Sequence, residues 1–266
     1  MVFPHTFWIL FIVCACLCAI GFYKFVYFLS VGYGFAIAGA GVVMLLGYHD
    51  RCSAILMIQC LLFVCYGMRL GLFLIVREWK SLSYRNTLKE VTKQDKKITI
   101  GIQICIWLSV SLLYVLQISP LLYRFSNGKT VDVTSYVAVG ILFVALIIET
   151  IADFQKNKSK KENPNQFCSQ GLYKFVRCPN YFGELLFWTG VFVSGVTAFV
   201  SFGQLLLSLV GYIAIIYIML SGAKRLEIRQ DKNYGGQSAY QRYNRTPILL
   251  PVIHWYSLKR CKWLKV

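Results

Sequence analysis

Charge is scarce in this sequence: 15% of its 266 residues are charged and 57% are hydrophobic. So little charge excludes an ordinary water-soluble domain with solvated faces and points to a chain that meets lipid. No Gly-x-Gly-x-x-Gly run occurs, which excludes a Rossmann domain as a nucleotide site. The only histidines, His5, His49 and His254, are far apart and match no zinc spacing, so no structural metal is expected. Met1 to Thr6 carry no cationic stretch, and the apolar run after them reaches Tyr23 without a small-residue cleavage site. That reads as a retained span and not a signal peptide. Cysteine is not lacking, but Cys14, Cys16, Cys18, Cys60, Cys65 and Cys105 lie within apolar runs, where a free thiol acts as a small hydrophobe. A spacing of two along a helix scatters Cys14, Cys16 and Cys18 around the axis, so they do not converge on a metal.

What is present is a series of long apolar runs. Roughly 17–25 apolar residues cross a bilayer as a helix, and seven such runs are read at 7–23, 25–48, 53–76, 98–122, 134–153, 182–200 and 202–221. The expectation is an all-α polytopic membrane bundle in a single integral membrane domain, with 1–123 on the substrate side and 134–251 forming a second, cofactor-binding half. Only Lys24 separates the first two runs, so either that turn is tight or the first helix is short. The formal net charge is +17, and most of the 28 Lys and Arg residues fall in 77–97, 154–181 and the tail from 222. With seven spans those segments share one side, which places the N-terminus outside and the C-terminus in the cytoplasm. The basic face is accounted for by topology and anionic lipid; no nucleic-acid partner is expected, and the chain is read as a monomer.

Several polar residues stand where a membrane span should be apolar. Arg69 lies inside the third run, three residues after Tyr66 and on the same helical face. A charge at that depth is kept where it has a partner or lines a wet cavity; it is either paired with Glu149 or Glu184, or in contact with a ligand. Ser30 and Tyr33 occupy the start of the second run, where Gly32 and Gly34 suit close helix packing. Glu149 and Asp153 are four apart near the end of the fifth run, hence on one face. The stretch from Gly171 to Trp188 contains Arg177, Cys178, Pro179, Asn180, Tyr181, Gly183 and Glu184. If a helix begins at Phe182, Tyr181 and Glu184 share a face; a plain membrane-entry turn, with Arg177 on headgroups and an aromatic anchor, accounts for the same residues. Segment 156–169 reads as a loop, and the apolar patch Ile248 to Tyr256, too short to span, reads as interfacial.

The run Gly-Leu-Tyr followed by Arg-x-Pro-Asn-Tyr-Phe-Gly-Glu resembles the signature of the steroid 5α-reductase family, including a bacterial branch catalogued as a domain of unknown function. Cys178 stands where that family usually has histidine, and Ser30 where its bacterial branch often has an acid. The resemblance covers roughly residues 25–251. It implies a membrane enzyme that uses NADPH to reduce a carbon–carbon double bond conjugated to a ketone, in a steroid or similar lipid entering from the bilayer. Tyr66 falls on the proton-donating tyrosine of the animal enzymes, with Arg69 beside it and Ser30 and Tyr33 toward the substrate. Glu149, Asp153, Asn180, Tyr181 and Glu184 fall on cofactor positions, and Lys158, Lys160, Arg177 and Arg225 are candidates for its phosphates. Isoprenylcysteine-type membrane methyltransferases, which bind S-adenosylmethionine, also carry Arg-x-Pro-x-Tyr before a span and are the alternative; a non-catalytic lipid-binding protein is the third reading.

Overall fold

A computed structural model describes residues 1–82, 84–86, 88, 98–253 and 255–264. The helices are α1 (His5–Cys18), α2 (Val31–Gly47), α3 (Ala54–Lys80), α4 (Ile100–Ser126), α5 (Val133–Glu162), α6 (Pro179–Gly195), α7 (Phe202–Tyr234) and the short α8 (Ser238–Tyr243). No strand occurs among the described residues. Six stretches are long and apolar enough to cross a membrane: His5–Phe22, Phe25–Gly47, Ala54–Lys80, Ile100–Ser126, Val133–Glu162 and Phe202–Tyr234. Trp8, Ile12, Leu46, Leu61, Leu72, Phe143 and Ile213 point outward from them, an apolar surface that suits lipid and not water. The protein is therefore a polytopic helical membrane protein.

The expected sixth crossing corresponds to α6, which has 17 residues and lies outside those six. At 1.5 Å per residue it is about 25 Å long, the short end of what crosses a bilayer. It starts at Pro179, three residues before the expected Phe182; proline suits a first helical position because its missing N–H has no helical partner to lose. The short-first-helix option holds at Lys24. There α1 ends at Cys18, and two 3-10 turns flank Lys24, whose backbone is extended. Segment 156–169 is not a loop throughout. Helix α5 runs on to Glu162, carried by good helix formers and a Lys158–Glu162 pair one turn apart at 4.0 Å. The basic segment 77–97 falls partly outside the described residues.

Two compact units divide the chain. Unit 1 comprises Met1–Val139 and Val191–Tyr212; unit 2 comprises Gly140–Gly190 and Ile213–Val266. In unit 1, α2 packs on α3 through glycines. A Cβ at Gly34 would lie 2.8 Å from the Gly67 carbonyl oxygen, and one at Gly67 would lie 2.1 Å from that of Gly34. Gly67→Ala should therefore sharply lower the unfolding temperature, since backbone atoms cannot rotate aside. Gly140→Ala, where nothing lies within 4 Å of the added carbon, should leave it unchanged or raise it slightly. Equal thermal unfolding of the two variants would contradict this packing.

Pro120 removes the N–H that would bond the Leu116 carbonyl. The Ser119 hydroxyl supplies the donor instead, at 2.8 Å, and sits 2.7 Å from the Ser208 hydroxyl. At the end of α4, the buried Arg124 donates to the Ser194 carbonyl at 2.7 Å, the Thr130 carbonyl at 2.6 Å, Thr134 Oγ1 at 3.1 Å and Asp132 Oδ2 at 3.2 Å. Burial raises the Asp132 carboxyl. Hydrogen bonds from Thr197, Thr134 and the Ser135 N–H, with the Arg124 charge, outweigh it and hold the group well below the usual carboxylate range.

Unit 2 has its own core, formed by Cys178, Leu220, Ala223, Ile248, Leu249, Leu258 and Leu264. Ile248 and Leu249 are thus buried in protein, which corrects the interfacial reading for the start of the tail patch. Val252, Ile253, Trp255 and Tyr256 remain exposed.

Candidate functional site

The polar residues of unit 2 are held by the turn Gly171-Leu172-Tyr173. Gly171 adopts φ +60, and a Cβ there would meet the Gln155 side chain at 2.3 Å. The positive φ favours glycine, and a side chain there would push the Gln155 amide aside. Gln155 Oε1 accepts from the Leu172 N–H at 2.9 Å, and the Tyr173 hydroxyl donates to the Ala152 carbonyl at 3.3 Å. These bonds dock the turn on α5. The chain then runs beside the tail, with the Arg177 N–H donating to the Pro247 carbonyl at 2.8 Å and the Cys178 N–H to Ile248 at 2.9 Å. Burial pushes the Cys178 thiol up to about 11, so it is neutral at pH 7.

Asn180, Glu184 and Trp188 follow at intervals of four, on one face of α6. Glu184, 7% exposed, accepts from the Trp188 indole N–H at 3.0 Å. Gly183 brings α6 against α5 at Glu149: an added Cβ would lie 2.5 Å from Glu149 Cγ. Glu149 is 2% exposed. Asn180 Oδ1 is buried and has no hydrogen-bond partner among the described residues. Asp153, one turn beyond Glu149, is half-buried. Tyr181 packs its ring near Gly222, with the hydroxyl 3.4 Å from where a Cβ would stand.

The four basic candidates divide into two kinds. Arg177 is 1% exposed and faces inward, where it donates to Glu227 Oε1 at 3.3 Å, to Asn244 and to the Tyr256 carbonyl. Lys160 is tied to the Pro164 carbonyl at 3.1 Å, the Gln166 carbonyl and the Tyr234 hydroxyl at 2.7 Å. Lys158 and Arg225 are exposed.

In unit 1, Tyr66 and Tyr33 meet inside the protein. The Tyr66 hydroxyl donates to that of Tyr33 at 2.9 Å, their rings cross edge-to-face at 6.2 Å, and Tyr33 lies 5.0 Å from the Tyr114 ring. Arg69 is half-buried one turn along α3. Ser30 does not join this cluster through its hydroxyl, which donates to the Val26 carbonyl at 2.8 Å.

A family described as a protein of unknown function (DUF1295) matches residues 17–247. The chain belongs to this family. None of the curated proteins and none of the solved structures matches it. The DUF1295 match takes in every candidate residue named above.

The residues of this DUF1295 member fit a dinucleotide in one respect and redistribute the candidates in another. The orphaned Asn180 acceptor beside two buried carboxylates suits a carboxamide or hydroxyl donor. Phosphate contact suits Arg225 and Lys158, which are exposed, more than the buried Arg177, whose two terminal nitrogens are bonded within the protein, and Lys160, which is tied to its own chain. Sequence reasoning missed Glu227, the buried partner of Arg177, and the Arg124 network. The available signals were the acid Glu227 among the small and basic residues that follow the apolar part of α7, and an arginine followed by Thr130, Asp132 and Thr134.

Proposed function

We propose that the protein is a membrane-embedded, NADPH-dependent reductase of a carbon–carbon double bond conjugated to a ketone, acting on a steroid or similar lipid. The observation that carries this reading is the group in unit 2: Glu149 and Glu184, both buried and on contacting helices, with the Asn180 oxygen, partnerless among the described residues, one turn before Glu184. Buried carboxylates of this kind in a membrane protein mark a functional site, and the Asn–Tyr–x–Gly–Glu run resembles the reductase signature. When bound, NADPH supplies the hydride that adds to the carbon β to the carbonyl. Asn180 and Glu184 accept hydrogen bonds from its amide and ribose groups, and Glu149 and Asp153 continue that acceptor face. Arg225 and Lys158 meet its phosphates, the extra phosphate of NADPH favouring it over NADH. Tyr66 donates a proton to the substrate side, with Tyr33 holding the hydroxyl and Arg69 balancing charge. The basic segments face the cytoplasm in this reading, so a single cysteine at position 170 should react only with reagent added from inside.

Glu184→Gln and Asn180→Ala test the assignment. Each removes a buried hydrogen-bonding group whose partner on the cofactor remains, so NADPH affinity or turnover should fall about tenfold to a hundredfold. Both variants keeping wild-type affinity and turnover would sink it.

A further inference from the structure

Gln117 lies in α4 of unit 1, 2% exposed, and among the described residues neither Oε1 nor Nε2 has a hydrogen-bond partner. The same unit uses its other buried glutamines fully. Gln59 donates to the Ser135 carbonyl at 3.1 Å and accepts from Ser194 at 2.6 Å; Gln204 donates to the Met1 carbonyl at 3.0 Å and accepts from the Val200 N–H at 3.0 Å. Ser119 serves the Leu116 carbonyl and Ser208, and Gly211 lies against the α4 backbone, where a Cβ would be 2.7 Å from the Gln117 backbone nitrogen. An apolar side chain there would avoid a desolvation penalty of roughly 1–3 kcal/mol.

Gln117 lies one turn beyond Tyr114, on the same helical face. Tyr114 donates its hydroxyl to the Phe28 carbonyl at 2.6 Å, and its ring contacts Tyr33, the acceptor for Tyr66. The orphaned amide therefore shares a face with the tyrosine cluster.

We infer that Gln117 anchors a hydroxyl group on the lipophilic ligand of unit 1. The substrate class rests on the proposed function. A ketone would satisfy only Nε2 and leave Oε1 orphaned. A hydroxyl both donates and accepts, so it can meet either atom of the amide. The residue thus sets specificity through a polar group separate from the ketone that the reaction uses.

The test is a binding measurement on the whole protein in nanodiscs, without NADPH. The probes are two 3-keto-4-ene steroids that differ only in a 17-hydroxyl or a hydrogen at that carbon, with partition into empty nanodiscs subtracted. The wild type should bind the hydroxylated probe about tenfold more tightly. Gln117→Leu should bind both probes equally and unfold at a higher temperature, because the unpaired amide is gone. Gln117→Met serves as a second variant of similar length if leucine does not fold. A hydroxyl preference that survives in the variants overturns the proposal. Equal binding of both probes to the wild type also overturns it and leaves the reductase reading standing; binding of neither probe overturns both.

Discussion

Tyr66→Phe should lower turnover of a 3-keto-4-ene steroid by roughly two to four orders of magnitude, the range for loss of a positioned acid, while NADPH affinity should stay near wild type. The substitution keeps the ring, and with it the edge-to-face contact with Tyr33 at 6.2 Å. It removes only the hydroxyl that donates to Tyr33 at 2.9 Å. That bond also supports a purely structural role, since a buried tyrosine hydroxyl usually finds an acceptor. The two roles separate by magnitude and by observable. A structural hydroxyl is worth about 0.5–1.5 kcal/mol of stability and leaves turnover nearly unchanged. A proton donor shows its loss in the rate, with a small shift in unfolding temperature. Near-normal turnover of an active enzyme carrying Tyr66→Phe would move the donor role to Tyr33, the other hydroxyl of the pair.

Arg177→Leu should produce the largest loss of stability. The guanidinium and the Glu227 carboxylate, 1% and 3% exposed, face each other at 3.3 Å. Removing the arginine leaves Glu227 buried, with the Leu258 N–H at 2.9 Å as its remaining partner among the described residues. Breaking a buried pair in this way costs about 3–5 kcal/mol. The links to Asn244 and the Tyr256 carbonyl go with it, so the tail should become sensitive to limited proteolysis. Replacing both partners, Arg177→Leu with Glu227→Leu, should recover much of the loss, because no uncompensated charge then remains. If Arg177 instead holds the extra phosphate of NADPH, Arg177→Leu would leave unfolding unchanged and raise the KM for NADPH but not for NADH.

Hydropathy made the membrane class and most crossings legible, because runs of apolar residues at bilayer length have few other uses. The ends of helices were less legible. Helix α5 continues to Glu162 and α7 to Tyr234 through polar sequence, where helix propensity and pairs such as Lys158–Glu162 carry the helix after the apolar signal stops. The glycines of α2 were readable as packing positions, since a missing side chain inside an apolar helix lets a neighbouring backbone come close. The fate of Arg177 was not readable. An arginine before a span suits a headgroup, a phosphate or an internal partner equally, and its partner Glu227 is fifty positions away in sequence. Gln117 was hidden for the opposite reason: a single amide in an apolar run looks tolerable until its unpaired atoms are located.

The most direct measurement is a titration of the purified protein with NADPH, NADH and S-adenosylmethionine, following intrinsic fluorescence. A reductase predicts saturable binding of NADPH, weaker binding of NADH and none of S-adenosylmethionine, with the NADPH signal weakened by Glu184→Gln. Saturable binding of S-adenosylmethionine, with no response to NADPH, would contradict the reductase and assign the site to a methyltransferase.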